Sequence, residues 1–171
     1  TSGRFPAELV AVTDIVEGKA RSKADKYRVA WYTDYHRMMR EHPDLDVVSI
    51  ATPTGYHAKH VLDLAPYGKH LVVEKPMALR VSDCQEMIRA CGRCRCRLFV
   101  VQQNRFNPAV AAARAALERG RFGRLVMGTA RVRWSREQSY YEQDDWHGTW
   151  ALDGGVMSQQ GSHHLDLLQW F

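Results

Sequence analysis

The chain has 171 residues, of which 45% are hydrophobic and 25% are charged, which is ordinary for a globular protein of one domain, or of one domain and part of a second. No apolar run approaches the roughly 20 residues that a membrane span needs, and residues 1–4 show no signal-peptide pattern, so we expect a cytoplasmic protein without a membrane partner. The formal net charge of +5 fits an enzyme that handles an anionic nucleotide or sugar acid, and no nucleic-acid partner is expected because the arginines are not interleaved with aromatic residues.

Short apolar runs and helical segments alternate along the first hundred residues. The predicted strands are Glu8–Asp14, Val29–Trp31, Asp46–Thr52, His70–Glu74 and Leu98–Gln102. The predicted helices between them are Glu17–Tyr27, Tyr35–Glu41 capped by Thr33 or Asp34, His57–Leu64, and a helix capped by Ser82 that runs to about Ala90. The connections are too long for hairpins, so the pattern predicts an α/β fold with a parallel sheet.

Polar side chains stand where these strands end. Asp14, Thr52, Glu74, Lys75 and Gln103 all fall at predicted carboxyl ends. Because ligands of open parallel sheets bind at that edge, the coincidence predicts a functional site there.

The character of the sequence changes after Arg105. Pro108–Arg119 is predicted to form a helix that Gly120 stops, and Arg124–Trp134 is predicted to form a long strand whose second half has alternating side chains. Such alternation is typical of an open, mainly antiparallel sheet that is covered on one face. We therefore predict a domain boundary near Asn104, with one domain over residues 1–103 and the start of a second over 104–171.

All four cysteines lie between Cys84 and Cys96, and Cys91 with Cys94 forms a CxxC pair. Such a pair raises the possibility of a zinc or redox site. A closed zinc site needs four ligands, usually in two pairs, and no second pair follows. Ordinary thiols in a reducing compartment are favoured, and no metal is expected.

Asp14 fits the acid that binds a ribose hydroxyl in a Rossmann domain, but only 13 residues precede it and they contain no GxGxxG turn. Two interpretations stay open. Asp14 is a simple turn residue, or the first strand and the phosphate-binding turn are missing from this chain.

Two motifs decide between them. Ala51–His57 and Val73–Met77 closely resemble the corresponding segments of the Gfo/Idh/MocA dehydrogenases, in which one strand ends in Thr-Pro beside the cofactor and the next ends in Glu-Lys-Pro. The resemblance implies a partial Rossmann domain followed by an α/β substrate domain, and it implies that Lys75 touches both the substrate hydroxyl and the nicotinamide ribose. Pro76 also ends the strand physically, because it cannot donate a ladder hydrogen bond. The alternative is a surface lysine after a strand.

A second signature of the family follows in Gly154-Gly155, Gly161, His163 and Asp166. A glycine turn there opens a helix, and the resemblance implies that His163 is the catalytic general base. The alternative is that His163 or His164 only packs between domains. Gln159 stands four residues earlier, on the same helical face, where many members carry Asp. A neutral amide supplies no opposing charge to an imidazolium, which leaves Lys75 and His163 as the minimal catalytic pair with Gln159 beside them.

The resemblance also implies the contacts of the bound molecules. The implied cofactor contacts are Asp14, Ala51, Thr52, Pro53, Thr54, His57, Glu74, Lys75, Gln103 and Trp146. The implied substrate contacts are Arg105, Asn107 and His164, and Arg131 and Arg133 are either further partners for an anion or solvated strand residues. NAD is preferred to NADP because the Asp14 carboxylate would repel a 2′-phosphate.

Four further segments resemble the bacterial UDP-N-acetylglucosaminuronate 3-dehydrogenases of surface-polysaccharide synthesis, which implies NAD-dependent oxidation of a sugar 3-hydroxyl to a ketone. These segments are Phe99–Pro108, Tyr140-Tyr141, Trp146–Gly155 and Asp166–Trp170. Members of the family are commonly dimers or tetramers. The alternatives are another sugar or inositol dehydrogenase of the same family, or a non-catalytic fragment or binding relative.

Overall fold

The computed structural model describes residues 6–171 and divides the chain into two compact units, one that ends at Val48 and one that begins at Ser49. Residues 1–4, on which the signal-peptide expectation depends, lie outside the described range. In the first unit, the strands β1 (Ala11–Thr13) and β2 (Ala30–Tyr32) pair in parallel, and the helices α1 (Glu17–Tyr27) and α2 (Tyr35–Glu41) follow one strand each.

The second unit is built around a three-stranded sheet. Its strands are β3 (Val47–Ile50, which spans the division between the units), β4 (His70–Val73) and β5 (Leu98–Val100), in the order β3-β4-β5, and β4 pairs with β5 in parallel. Its helices are α3 (His57–Leu64), α4 (Val81–Arg93), α5 (Pro108–Glu118), α6 (Gln138–Tyr141) and α7 (Ser162–Trp170). A π-helical turn, Met157–Gly161, leads into α7.

Local sequence explains several of these boundaries. The Asp34 carboxylate accepts a hydrogen bond of 2.8 Å from the His36 backbone N–H and caps α2. Asn107 caps α5 in the same way through the Ala109 N–H, at 3.2 Å, and Pro108 occupies the first turn, where its missing N–H costs nothing. The observed bounds of α1, α2 and α3 confirm the predicted ones.

The apolar core of the second unit lies between its sheet and the pair α3 and α4. Val61, Leu71, Val73 and Met87 are all completely buried there. Residues 103–171 contribute no apolar side chain to the fully buried set, and their buried side chains are polar: Asp153, Gln159 and His163. Since a buried polar group is more informative than an exposed apolar one, these three residues mark where to look for function.

Two predictions about local structure are wrong. The segment Arg124–Trp134 is not a strand, and the described residues contain no antiparallel sheet. Its residues are all exposed and no described strand lies alongside, so its backbone N–H and C=O groups have no ladder partner. Ser82 does not cap α4, because the helix already begins at Val81 and the Ser82 hydroxyl instead donates to Asp83, at 3.1 Å.

The four cysteines are free thiols, and Cys91 and Cys96 are buried. Burial, together with hydrogen bonding to Cys96, raises the pKa of the Cys91 thiol to about 12, so this thiol stays protonated and unreactive at neutral pH. Within residues 6–171 no cluster of His, Cys, Asp or Glu is arranged to hold a metal ion. No helix in that range has the length and apolar character to cross a membrane.

Candidate active site

His57 joins the segments that follow β3 and β4. Its imidazole is 1% exposed, with Nε2 at 2.8 Å from the Thr52 carbonyl oxygen and Nδ1 at 2.9 Å from that of Pro76. The side chain therefore holds both strand ends in place from inside the protein. We expect it to position the neighbouring residues, because a ring that is occupied on both sides has no nitrogen left for a ligand.

Lys75 lies directly after β4, on the amino side of a cis peptide bond to Pro76. Its ammonium donates two hydrogen bonds to one residue, at 3.0 Å to the Gln159 carbonyl oxygen and 3.1 Å to the Gln159 side-chain Oε1. Its backbone N–H donates to the Glu74 carboxylate at 3.1 Å. Residues 84 positions apart in the sequence thus meet at one ammonium group.

Gln159 has a second partner on the strand side. Its amide Nε2 donates to the Thr54 hydroxyl oxygen at 2.6 Å, and both side chains are buried. The amide therefore faces Thr54 with its nitrogen and Lys75 with its oxygen. Thr54, Lys75 and Gln159, all expected at the site, are brought together by direct contact.

His163 is 7% exposed, and its Nδ1 is buried without a hydrogen-bond partner within the described part of the chain. A buried polar atom that stays unsatisfied costs about 1–3 kcal/mol, so this nitrogen is an unusual feature of the helix. The neighbouring His164 also has an unpartnered Nδ1, and its ring packs edge-on against Trp134 at 5.6 Å between centroids. His164 lines a mainly apolar cavity of about 430 Å³ beside α7, together with Leu165 and Leu168.

The pKa values of both candidate catalytic groups are lowered. Burial lowers the pKa of Lys75 below its usual value, although the negative charges of Glu74 and Asp153 act in the opposite direction. Burial also lowers the pKa of His163, and the positive charge of Lys75 lowers it further. At neutral pH this arrangement favours an uncharged imidazole next to a lysine that releases its proton more readily than usual.

Asp153 is a site residue that the sequence pattern did not reveal. It was predicted only as part of a glycine turn, yet its side chain is 6% exposed and accepts a hydrogen bond of 3.1 Å from the Gly148 N–H. Gly154 and Gly155 follow with φ of 77° and 82°, which confirms the predicted turn. In the sequence, the position of this carboxylate directly before the glycine turn was the one signal that could have pointed to Asp153.

Arg105 is held by Asp166 of α7. Its Nε and Nη2 nitrogens lie 2.8 and 2.5 Å from the two carboxylate oxygens, which is the bidentate geometry that arginine prefers. The guanidinium also lies 5.4 Å from the centre of the Trp170 ring. This ion pair ties the turn after β5 to the helix that carries His163.

The remaining predicted contacts of unit two lie in more exposed places. Ala51 and Gln103 are exposed, and Asn107 uses its side chain as the cap of α5. Trp146 is half-buried, with its ring 3.8 Å from that of His147. None of these residues is joined to Lys75 by a hydrogen bond.

Thr52 and Pro53 continue directly from β3. The Thr52 hydroxyl lies 3.0 Å from Nδ1 of His60. The Pro53 carbonyl accepts a hydrogen bond of 2.9 Å from the Tyr56 N–H, which closes the turn that places Thr54.

Asp14 lies at the end of β1 in the first unit. Its carboxylate accepts a hydrogen bond of 2.8 Å from the Val16 N–H and lines an open groove of about 420 Å³ with Lys19 and Lys23. An acid beside a groove at the carboxyl end of a parallel strand fits the ribose end of a dinucleotide. In the second unit, Lys75 and the buried His163 are the groups whose chemistry suits proton transfer.

Two family models together match almost all of the chain. Residues 2–102 match an oxidoreductase family described as an NAD-binding Rossmann fold, and residues 110–171 match the Gfo/Idh/MocA C-terminal domain. The first match alone covers more than half of the 171 residues.

Individual relatives agree with these matches. A crystal structure of the WlbA dehydrogenase from Bordetella pertussis, in complex with NADH and UDP-GlcNAcA, is 38% identical with a TM-score of 0.90, over 96% of this chain and 47% of that one. A 1-carboxy-3-chloro-3,4-dihydroxycyclohexa-1,5-diene dehydrogenase from Comamonas testosteroni is 32% identical over 95% of this chain and 40% of its own length. An inositol 2-dehydrogenase from Salmonella paratyphi B is 38% identical over 48% of this chain and 25% of its own.

The chain thus spans less than half of the length of each of these relatives. Its α/β fold, its parallel strands and the match of its first hundred residues identify an NAD-binding Rossmann-type domain, and NAD is the cofactor. The chain belongs to the Gfo/Idh/MocA family of NAD-binding oxidoreductases.

Proposed function

We propose that this chain forms the catalytic part of an NAD-dependent dehydrogenase that oxidises the 3-hydroxyl of a UDP-N-acetylhexosaminuronate to a ketone. The observation that carries the proposal is the cluster in which the Lys75 ammonium is held by Gln159 beside the buried His163. Such a cluster can receive a hydroxyl group, because it offers a proton donor and a proton acceptor at the same place.

His163 is the proposed general base. Its lowered pKa keeps the imidazole neutral at physiological pH, and a neutral imidazole can take the hydroxyl proton.

Lys75 is the proposed electrostatic partner. Its ammonium can donate to the substrate oxygen while negative charge develops there, and the two Gln159 oxygens hold it in a fixed direction. As the proton passes to His163, the carbon–oxygen double bond forms and the C–H bond breaks. When bound, NAD⁺ supplies the acceptor for the hydride that leaves this carbon.

Asp14 is the proposed ribose ligand, and its negative charge favours NAD over NADP. Thr52 and Pro53, directly after β3, are the proposed neighbours of the nicotinamide, with Lys75 at its ribose. Gln103 and Trp146 stay proposed on family resemblance alone.

The substrate class is supported by the relative from Bordetella pertussis, which was crystallised with NADH and UDP-GlcNAcA and is similar over 96% of this chain. Arg105, Asn107 and His164 are the proposed substrate residues. Asp166 already accepts hydrogen bonds from two nitrogens of the Arg105 guanidinium, so only its remaining N–H groups could bind the substrate. The larger role of Arg105 is therefore structural.

A dehydrogenase of cyclic polyols is the second candidate. It is favoured by the similarity to an inositol 2-dehydrogenase and to a dehydrogenase of a dihydroxycyclohexadiene. The Lys75–His163 pair would serve either substrate, because both present a secondary hydroxyl group.

The test is NADH formation by the protein that contains this chain, with UDP-GlcNAcA and myo-inositol offered separately. We expect turnover of the UDP-sugar, and a loss of about 10²–10³-fold in kcat for Lys75→Ala, as for other removed charge-stabilising donors. Lys26→Ala, at an exposed lysine of the first unit, is the control and should keep full activity. Preferred turnover of inositol would replace the first candidate by the second, and full activity of Lys75→Ala would refute both.

A titration of the 171-residue chain with NADH separates an enzyme part from a non-catalytic fragment. Binding is expected if the described residues form enough of the cofactor site, whereas its absence would assign the function to a longer protein only. We also propose the domain division at 103/104, which agrees with a gap between the two family matches, and a dimer or tetramer for the complete protein.

A further inference from the structure

We propose that Thr54 is a positioning residue that acts on Lys75 through the amide of Gln159. The inference rests on the proposed function for its catalytic meaning, but the contacts that carry it do not depend on any substrate. Thr54 was expected at the cofactor, whereas the structure places it inside the protein, 3% exposed and hydrogen-bonded to Gln159.

The argument begins with the two ends of the Gln159 amide. An amide oxygen can only accept and an amide NH₂ can only donate, so the two ends act oppositely on an ammonium ion. The oxygen lies 3.1 Å from Lys75 Nζ, and the nitrogen lies 2.6 Å from the Thr54 hydroxyl oxygen. Because the ammonium can only donate, the amide oxygen must face Lys75, and the Thr54 hydroxyl stabilises this orientation by accepting from the nitrogen that is then turned toward it.

The hydrogen bond at Thr54 also strengthens the one at Lys75. Hydrogen bonds in a chain polarise each other, and this effect is larger in a buried site than in water. Donation by Nε2 to Thr54 draws electron density toward Oε1, which makes that oxygen a better acceptor for the ammonium. The charged form of Lys75 is stabilised accordingly, in opposition to its burial.

The backbone fits this role for Thr54. It begins a short 3₁₀ turn, Thr54–Tyr56, that follows Pro53, and the next residue donates its N–H to the Leu152 carbonyl at 3.0 Å. The turn is thereby fastened to the segment that leads to Gln159. The Thr54 hydroxyl therefore accepts from the Gln159 amide while its own backbone is held in place by the turn.

Other charges face Lys75 and enter any titration. Glu74 precedes it on the same strand end, Asp153 faces it from the glycine turn, and His163 faces it from α7. The carboxylates raise the pKa of Lys75. Glu74 and Asp153 are therefore kept unchanged in every variant whose Lys75 pKa is compared.

The experiment measures the pKa of Lys75 directly. The chain is acetylated with trace acetic anhydride across a pH series, and mass spectrometry of the Lys75 peptide, with Lys26 as internal reference, gives its titration curve. In Thr54→Val we expect the pKa of Lys75 to fall by about half a unit, because an acceptor of the charged form is weakened. Thr54→Ser keeps the hydroxyl and should restore the wild-type curve.

A double-mutant cycle shows whether the effect passes through Gln159. Gln159→Met fills a similar volume without an amide and should itself lower the pKa of Lys75. Adding Thr54→Val to Gln159→Met should then change nothing further. The same shift in both backgrounds, an unchanged curve in Thr54→Val, or equal shifts in Thr54→Val and Thr54→Ser would each overturn the proposal.

The enzymatic readout is separate. In the protein that turns over, the alkaline limb of the kcat/KM profile should move to lower pH in Thr54→Val and not in Thr54→Ser. A Lys75 pKa shift without any dehydrogenase activity would support the positioning role and sink the proposed function. Dehydrogenase activity without a shift in the Lys75 pKa would support the proposed function and overturn the positioning role of Thr54.

Discussion

The candidate site has two halves that are held in different ways. The strand-end half, residues 51–77, is supported by the parallel sheet, and its polar side chains Thr54, His57 and Lys75 all have protein partners. The helical half, residues 153–166, is held by a glycine turn and one ion pair, and its His163 has an unpartnered ring nitrogen. The strand-end half is therefore preorganised by its hydrogen bonds, whereas the helical half holds a buried histidine nitrogen without a described partner.

The junction of the two halves should be the most sensitive point. A Cβ atom at Gly55 would lie 2.4 Å from the Ala151 carbonyl oxygen and 3.0 Å from the Leu152 Cα, and both are backbone atoms that cannot move alone. We expect Gly55→Ala to lower the free energy of unfolding by about 1–3 kcal/mol, as overpacking does elsewhere. Urea denaturation of the purified chain measures the change.

Gly92→Ala is the matched control, because a Cβ there meets nothing within 4 Å and the residue lies in α4. It should be neutral or stabilising by up to about 1 kcal/mol. Equal stabilities for the two variants would show that the halves are not in close contact at Gly55.

The helical half should weaken when its ion pair is removed. The Asp166 side chain is 13% exposed and Arg105 is 37% exposed, so solvent screens the pair only in part. Asp166→Asn should cost about 1 kcal/mol of stability and lower activity, because α7 and His163 lose an anchor.

Glu17→Gln provides the comparison. The Glu17–Arg21 pair is equally short, but both side chains are more than half exposed, so only a few tenths of a kcal/mol are expected. The stability cost of Asp166→Asn should also decrease less with rising salt concentration than the cost of Glu17→Gln, because the Asp166–Arg105 pair is less exposed. Indistinguishable effects of the two variants would contradict the anchoring role of Asp166.

The smallest effect concerns the protonation of His163. Burial lowers the pKa of this imidazole in the folded protein, so the folded state binds fewer protons than the unfolded state below the usual histidine pKa of about 6.5. The stability from the neutral ring is complete above that pH and decreases as the pH falls toward the lowered value. His163→Gln should reduce the loss of thermal stability between about pH 7.5 and 5.5.

His60 also has a lowered pKa through burial and the Lys59 charge, so part of the acid sensitivity should persist in that variant. His60→Gln alone should therefore remove a separate part of the loss of thermal stability at acidic pH. Identical pH dependence in His163→Gln and the wild type would mean that the ring does not titrate as its surroundings suggest.

Prediction from the sequence worked best where local rules and the sheet agree. The bounds of α1, α2 and α3 were correct, the strands predicted at β1, β3, β4 and β5 were longer than observed, and β2 lies one residue later than predicted. Strand ends are uncertain because a residue counts as a strand only when its partner is present, and the partner lies elsewhere in the chain. The same reason explains the error at residues 124–134, where alternation was clear but no partner strand is described.

The site residues divide in a similar manner. Motifs were enough to single out Lys75, Gln159 and His163, since their spacing and positions at element ends follow from the order of residues. Asp153 was missed as a buried acid. The cofactor contacts of Thr54 and His57 stay predictions, and the motifs did not indicate that their described partners are Gln159 and two backbone carbonyls. Burial and partnership depend on atoms that are distant in sequence, so no motif reports them.

By itself, the sequence determined the α/β alternation and the family, and it singled out the proposed reacting pair, because each depends on local propensity or on short motifs. Tertiary structure alone decided that one glutamine offers two oxygens to Lys75 across 84 positions and turns its nitrogen to Thr54. It also decided that Arg105 holds the helix of His163. Hydrogen bonds require a few tenths of an ångström of accuracy, and only the packed chain supplies it.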